Sequence, residues 1–194
     1  MRVSRREDAF DSDQHIFELK VDGFRALAHV EHGQCQLVSR NGHRFGGFSR
    51  LELAIGRYLP VEDAILDGEI ACLDERGRPT FRDLLLRRRE CVFIAFDLPY
   101  LNGKDLRILP LIQRKSMLKD MLRAKRSRVI YLDHVDGEGE LLFEQIVAMD
   151  LEGIVCKLKD SPYRATNKPS RHWITIPNSH YSQRSAQLKM SDSW

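Results

Sequence analysis

A lysine set between two acids on one side of an apolar strand is the most chemically suggestive feature of this chain. In Ile16-Phe17-Glu18-Leu19-Lys20-Val21-Asp22-Gly23-Phe24-Arg25 strand alternation gives Phe17, Leu19 and Val21 one face and Glu18, Lys20 and Asp22 the other. One face packs. The other carries an amine that becomes a nucleophile where its surroundings hold it unprotonated. The plainer account is a solvated face of mixed charge, and periodicity leaves both open.

The pattern recurs twice. In Ala64-Ile65-Leu66-Asp67-Gly68-Glu69-Ile70-Ala71-Cys72-Leu73 the two acids Asp67 and Glu69 share a face of an apolar strand, and they need solvent, a cation from elsewhere or a bound divalent ion. In Leu151-Glu152-Gly153-Ile154-Val155-Cys156-Lys157 an acid and a lysine bracket an apolar run. Strict alternation places Glu152 and Lys157 on opposite faces, so they converge only if Glu152 belongs to the turn before Gly153.

The elements that must carry these residues follow from periodicity and turn signals. Segments 15–21, 26–32, 34–39, 64–73, 91–98, 153–159 and 172–176 read as strands. Asn41-Gly42 and Asn102-Gly103 mark turns. Helices are predicted from Ser49, as cap, to about 59, over 81–88, from Pro110 to 122 and over 139–149. Strands in runs with scattered helices predict an α+β fold, mostly antiparallel sheets with flanking helices. Residues 1–14 are expected as an N-terminal arm, 15–178 as one domain and 179–194 as a polar C-terminal tail.

Composition narrows the function classes. With 194 residues the chain supports one sizeable core, and 42% hydrophobic against 30% charged residues is the balance of a folded soluble chain. No apolar run spans a bilayer and the start resembles no signal peptide, so no membrane partner and a cytoplasmic location are expected. A net charge of +3 permits a polyanionic partner without demanding one. Cys35, Cys72, Cys91 and Cys156 form no C-x-x-C pair and read as small buried hydrophobes, while His134 and His172 lack metal-ligand spacing. Arg87-Arg88-Arg89 reads as a wet helix end.

Lys20-Val21-Asp22-Gly23 resembles the K-x-D-G motif of covalent nucleotidyltransferases, the superfamily of ATP-dependent DNA ligases, RNA ligases and capping guanylyltransferases. Ser39-Arg40-Asn41-Gly42, Leu66-Asp67-Gly68-Glu69-Ile70, Phe93-Ile94-Ala95-Phe96-Asp97-Leu98 with Tyr100-Leu101-Asn102-Gly103, and Leu151 to Lys157 follow in the family's order. With Asp160-Ser161-Pro162-Tyr163-Arg164, the likeness covers residues 15–178 and is nearest the ligase module of bacterial end-joining DNA ligases.

That resemblance implies a ligase adenylation domain, ATP-grasp-like, in which Lys20 attacks the α-phosphorus of ATP, releases pyrophosphate and holds AMP. It implies that Glu69 and Glu152 bind the ribose or a divalent cation, Mg²⁺ or Mn²⁺. Phe96 would stack on adenine, and Glu18 would lie at the edge of the nucleotide site. Arg25 and Arg40 would orient ribose and phosphate, and Lys157 would face the α-phosphate. Nicked or broken duplex DNA is the implied partner, with DNA repair and recombination as the context and a nucleoid-associated cytoplasmic location.

Two departures qualify these expectations. The family's W-x-K-x-K segment here reads Trp173-Ile174-Thr175-Ile176-Pro177, without either lysine, and cations at that place stabilise the phosphate under attack. After Pro177 only a polar stretch remains, so the OB-fold that closes over ATP in the family, or a DNA-end-binding protein, is expected to act in trans. The alternative is a degenerate, catalytically impaired module that binds nucleotide or DNA. An RNA-end or capping enzyme is disfavoured because the later motifs read as DNA ligase.

Overall fold

The structure, a computed structural model, describes residues 2–59, 61–123, 128–166 and 168–183. They divide into two compact units: Gly23–Leu132 is one, and the residues before and after it together make the other.

The discontinuous unit opens with β1 (Arg2–Arg5) and β2 (Ser12–Leu19). The contiguous unit then runs β3 (Phe24–Glu31), β4 (Gln34–Ser39), α1 (Ser49–Tyr58), β5 (Asp63–Cys72), α2 (Phe81–Leu85), β6 (Cys91–Leu101), β7 (Lys104–Asp105), α3 (Leu111–Leu122) and β8 (Val129–Tyr131). The chain returns through β9 (Val135–Gly137), α4 (Gly139–Ala148), β10 (Gly153–Leu158) and β11 (Pro169–Pro177).

In the discontinuous unit the strand order is β1-β11-β10-β2-β9, antiparallel except for the parallel β1–β11 edge. Register fixes its two faces. Leu19 lies opposite Ile154, Phe17 opposite Cys156 and Ile176 opposite Ile154, so these side chains point one way. With Ile146 of α4 and Leu151 they form a buried cluster, each large apolar member contributing about 1.5–3 kcal/mol. The opposite face holds Glu18, Lys20, Val155, Lys157, Trp173 and Thr175.

In the contiguous unit the order is β4-β3-β5-β6-β7, with β8 joined parallel to β6. Ala26, Ala28, Val30, Leu66 and Ile70 form its buried apolar face with Leu51 and Ile55 of α1. Phe24, Phe48 and Phe81 meet edge-to-face at one end of it. The other face carries Arg25, Asp67 and Glu69, and α3 packs over β6 there.

The expected α+β class with mostly antiparallel sheets is the one observed, and most elements fall within three residues of their predicted ends. Several local expectations are corrected. Arg2–Arg5, expected in an arm, pairs with β11. The helix expected over 81–88 stops at Leu85, and Arg87 takes a left-handed φ of 49° that no helix continues through. Ser49 is the first residue of α1 rather than its cap; Phe48 holds the cap position with no side-chain hydrogen bond. The expected tail begins by folding back, with Tyr181 buried; residues 184–194 lie outside the described residues.

Candidate nucleotide-binding residues

β2 and β10 lie side by side and bring together the sequence-predicted residues at both ends of the chain. Lys20 follows the last residue of β2, where its backbone N–H donates to Gly153 O at 2.8 Å. Gly153, with φ +143°, begins β10 in a conformation that turns Glu152 out of the strand alternation. The Lys20 ammonium consequently forms an ion pair with the Glu152 carboxylate. The Lys20 side chain is 30% exposed, which leaves the amine reachable.

One step further along the same face, Lys157 Nζ lies 2.6 Å from Glu18 Oε2, both side chains essentially closed to solvent. The Lys157 ammonium also sits 4.0 Å above the Trp173 ring, whose edge-to-face partner is Tyr163. Thr175, opposite Val155, turns its hydroxyl to this face; Oγ1 is buried with no hydrogen-bond partner among the described residues. Two lysines, two carboxylates and an aromatic platform thus occupy one sheet face.

The loop after β11 braces this arrangement. Asn178 N donates to Glu152 O at 2.9 Å and its Nδ2 to Leu151 O at 3.0 Å. Ser182 N donates to Asp150 Oδ1 at 2.9 Å. Tyr181 Oη donates to Asp22 Oδ2 at 2.7 Å, both residues buried. Burial, and then that bond to the Asp22 carboxylate, pushes the Tyr181 phenol above its ordinary range. The turn bearing Glu152 and the motif acid after Lys20 are therefore held by one short segment.

The other predicted residues belong to the contiguous unit. Arg25 on β3 lies opposite Glu69 on β5. Its guanidinium grips Asp67 through two bonds, Nε to Oδ1 at 3.1 Å and Nη2 to Oδ2 at 2.7 Å, and lies 5.6 Å from the ring centre of Phe96. Phe96 is buried at an irregularity where the β5–β6 register shifts. A Cβ on Gly23 would come within 2.3 Å of Ile70 O and 2.8 Å of Glu69 Cγ, so the motif glycine is fixed by a close approach to β5. Arg40 is exposed in the turn after β4.

Several supporting residues escape sequence reading. Asp97 and Arg114 form a second two-bond pair, 2.8 Å and 2.9 Å, with neither side chain exposed. Tyr181 is missed as well, and Trp173 is read only as the first residue of a motif, without its place beside Lys157. The available signal for Asp67 and Asp97 is an acid inside a run of apolar residues; Tyr181 carries none.

Among the described residues no three His, Cys, Asp or Glu side chains gather as a protein-only metal cluster. Mg²⁺ is ordinarily held by one or two carboxylates plus substrate phosphates, and Glu69 and Glu152 are each hard oxygen donors of that kind.

The model of the ATP dependent DNA ligase domain matches residues 2–176. The multifunctional non-homologous end joining protein LigD of Pseudomonas aeruginosa is 33% identical over 167 residues, covering 82% of this chain and 20% of that protein. The SPbeta prophage-derived DNA ligase-like protein LigB of Bacillus subtilis is 28% identical over 187 residues, covering 91% of this chain and 66% of that protein. The crystal structure of the ligase domain of M. tuberculosis LigD superposes with a TM-score of 0.78 at 26% identity, covering 90% of this chain and 58% of that one. A mycobacterial DNA ligase D complexed with ATP and MES gives 0.78 and 26%, covering 91% and 59%. The chain thus spans about a fifth of the length of the LigD relative and under two thirds of these structures.

Proposed function

The chain belongs to the family of ATP-dependent DNA ligase domains, and from that premise we propose that Lys20 is its nucleophile and carries AMP. Lys20 Nζ, having passed one proton to solvent, forms a bond to the α-phosphorus of ATP as the bond from that phosphorus to the bridging oxygen breaks, and a second proton leaves the nitrogen to solvent as the phosphoramide forms. Pyrophosphate leaves with the electron pair. The adenylyl group then passes to the 5′-phosphate of a DNA break, and the 3′-hydroxyl displaces AMP to join the strand.

The observation that carries this reading is the Lys20–Glu152 contact: a reachable amine at the end of β2, oriented by a carboxylate that the Gly153 turn delivers. Glu152 fixes where Nζ points. Lys157, held by Glu18 and Trp173, supplies the positive charge for the α-phosphate oxygens. Arg25 and Arg40 take ribose and phosphate oxygens, Phe96 the adenine, and Glu69 the ribose. Glu69 and Glu152 are the residues that would each offer a carboxylate to a divalent ion, which would neutralise phosphate charge. Repair by end joining, with an OB-fold or DNA-end-binding protein in trans, is the proposed setting.

Incubation with α-labelled ATP and Mg²⁺ tests the reaction directly. Label that stays on the polypeptide through alkali and is released by acid, as a P–N bond requires, is expected, and its loss in Lys20→Ala. An unlabelled wild type, or label that survives in Lys20→Ala, overturns it. One observation favours a second reading, of a domain that binds nucleotide but joins strands poorly: Thr175 and Pro177 stand where the W-x-K-x-K pattern that this segment resembles has lysines, and the Thr175 hydroxyl meets no partner among the described residues. Thr175→Lys is then expected to raise the labelling rate at least tenfold, whereas an unchanged rate removes that reading.

A further inference from the structure

Five arginines line one open pocket of about 320 Å³ in the contiguous unit, on residues to which the proposed adenylyl transfer gives no part. Arg50 comes from α1, Arg87, Arg88 and Arg89 from the stretch after α2, and Arg128 from the residue before β8; Glu90 is the one carboxylate in the lining. Like charges at this density repel, so the pocket is built at a cost in stability.

The backbone is shaped to keep them there. Arg87 adopts φ +49°, a left-handed conformation that a Cβ makes unfavourable for any residue but glycine. Its guanidinium fills the place of a Cβ on Gly47, where Nη1 would lie only 2.5 Å away, and Gly47 itself has φ +87°. Arg89 is steadied by Asp83 at 3.1 Å, and Arg128 by an ion pair with Glu90. Arg50 also acts on Glu90: Arg128 first, by hydrogen bond and charge, and then Arg50 lower the Glu90 carboxyl below its usual range. Arg50 and Arg88 make no ion pair among the described residues. Phe48, the aromatic of the lining, is buried and offers no face on which a base could stack.

We infer that this pocket binds the phosphodiester backbone of duplex DNA. Guanidinium groups recognise phosphate oxygens in pairs, an open cleft accepts a strand running through it, and the missing stacking surface disfavours a free nucleotide. Binding is independent of base sequence and falls steeply with salt. The choice of DNA over another phosphate polyanion rests on the reading of the chain as a DNA ligase domain.

The test is fluorescence anisotropy of a labelled nicked duplex with the intact chain, its Arg50→Gln/Arg88→Gln variant and a Glu90→Gln variant, each also assayed for Lys20 labelling. The double variant is expected to bind at least tenfold more weakly at low salt, with a log–log salt slope shallower by about 2. Glu90→Gln is expected to bind several-fold more tightly, which misfolding could not produce. Lys20 labelling stays within twofold in both. Equal affinity and slope in wild type and double variant overturn the inference, as does a wild type with no affinity for the duplex. Competition by inorganic phosphate beyond its ionic strength, lost in the double variant, also overturns it in favour of a free anion. A wild type that binds through these arginines but takes no label at Lys20 instead overturns the proposed reaction and leaves the pocket standing.

Discussion

The two units bury charge in different ways. In the contiguous unit each of the carboxylates Asp67 and Asp97 meets an arginine through two bonds, and the Asp97–Arg114 pair is closed to solvent altogether. In the discontinuous unit the cations facing Glu18 and Glu152 are lysines. A guanidinium is permanently charged and geometrically fixed, which suits it to holding strands and helices in place. An ammonium on a flexible stem can shed a proton and turn toward another partner. Arginine thus marks the frame, and lysine the place where a proposed bond forms and breaks.

Exchanging the cations breaks or sharpens that contrast. Arg114→Met leaves Asp97 buried without its counter-charge and is expected to cost about 3–5 kcal/mol in urea unfolding. Arg114→Lys recovers less than half of this, because one ammonium cannot reproduce two parallel bonds. The reverse exchange, Lys157→Arg, is expected to cost only about 1–2 kcal/mol, from crowding against Trp173, while the rate of Lys20 labelling falls at least tenfold. Equal stability costs for Arg114→Lys and Lys157→Arg would erase the distinction.

Tyr181→Phe removes a hydrogen bond to a buried carboxylate and is expected to lower stability by about 1–3 kcal/mol. Because Tyr181 acts through Asp22 and the turn bearing Glu152, it is a positioning residue. The labelling rate at saturating ATP should fall while the ATP concentration at half-maximal rate moves less than twofold. A loss of ATP affinity alone would contradict that role.

The mildest test is alkaline pH. Burial raises the thiols of Cys35, Cys72 and Cys156 to about 12. Their folded values lie above the unfolded value near 9.0, so the unfolded chain releases these protons first. The stability they contribute is complete below about pH 9 and is lost progressively as pH rises toward 12. Two of the three lie in the contiguous unit, which should lose amide-exchange protection first as pH rises. A thermal midpoint unchanged between pH 9 and 11 would count against this.

How much of this was legible beforehand depends on the range of the interaction. Phe17, Leu19, Ile154 and Cys156 declare their face by alternation, a local property, and the turn at Gly153 that frees Glu152 is equally local. The partnership of Arg25 with Asp67 spans 42 positions and that of Arg114 with Asp97 spans 17. Neither has a periodic signature. β1 escapes notice because four residues pairing in parallel at a sheet edge show no alternation. Tyr181 sits in a polar stretch whose purpose appears only when the segment folds back.

The discontinuity of the unit that holds Lys20 also sets an order of events during synthesis. Everything from β3 to β8 is one uninterrupted stretch that can close as it leaves the ribosome. β2 is made earlier still, yet the carboxylate that orients its lysine lies 132 residues downstream, and the β11 loop bracing that carboxylate comes last. Contacts of such separation close late and at a larger entropic cost. A nascent chain therefore carries an amine with no assembled place for it, and the proposed nucleophile matures only when β11 has docked.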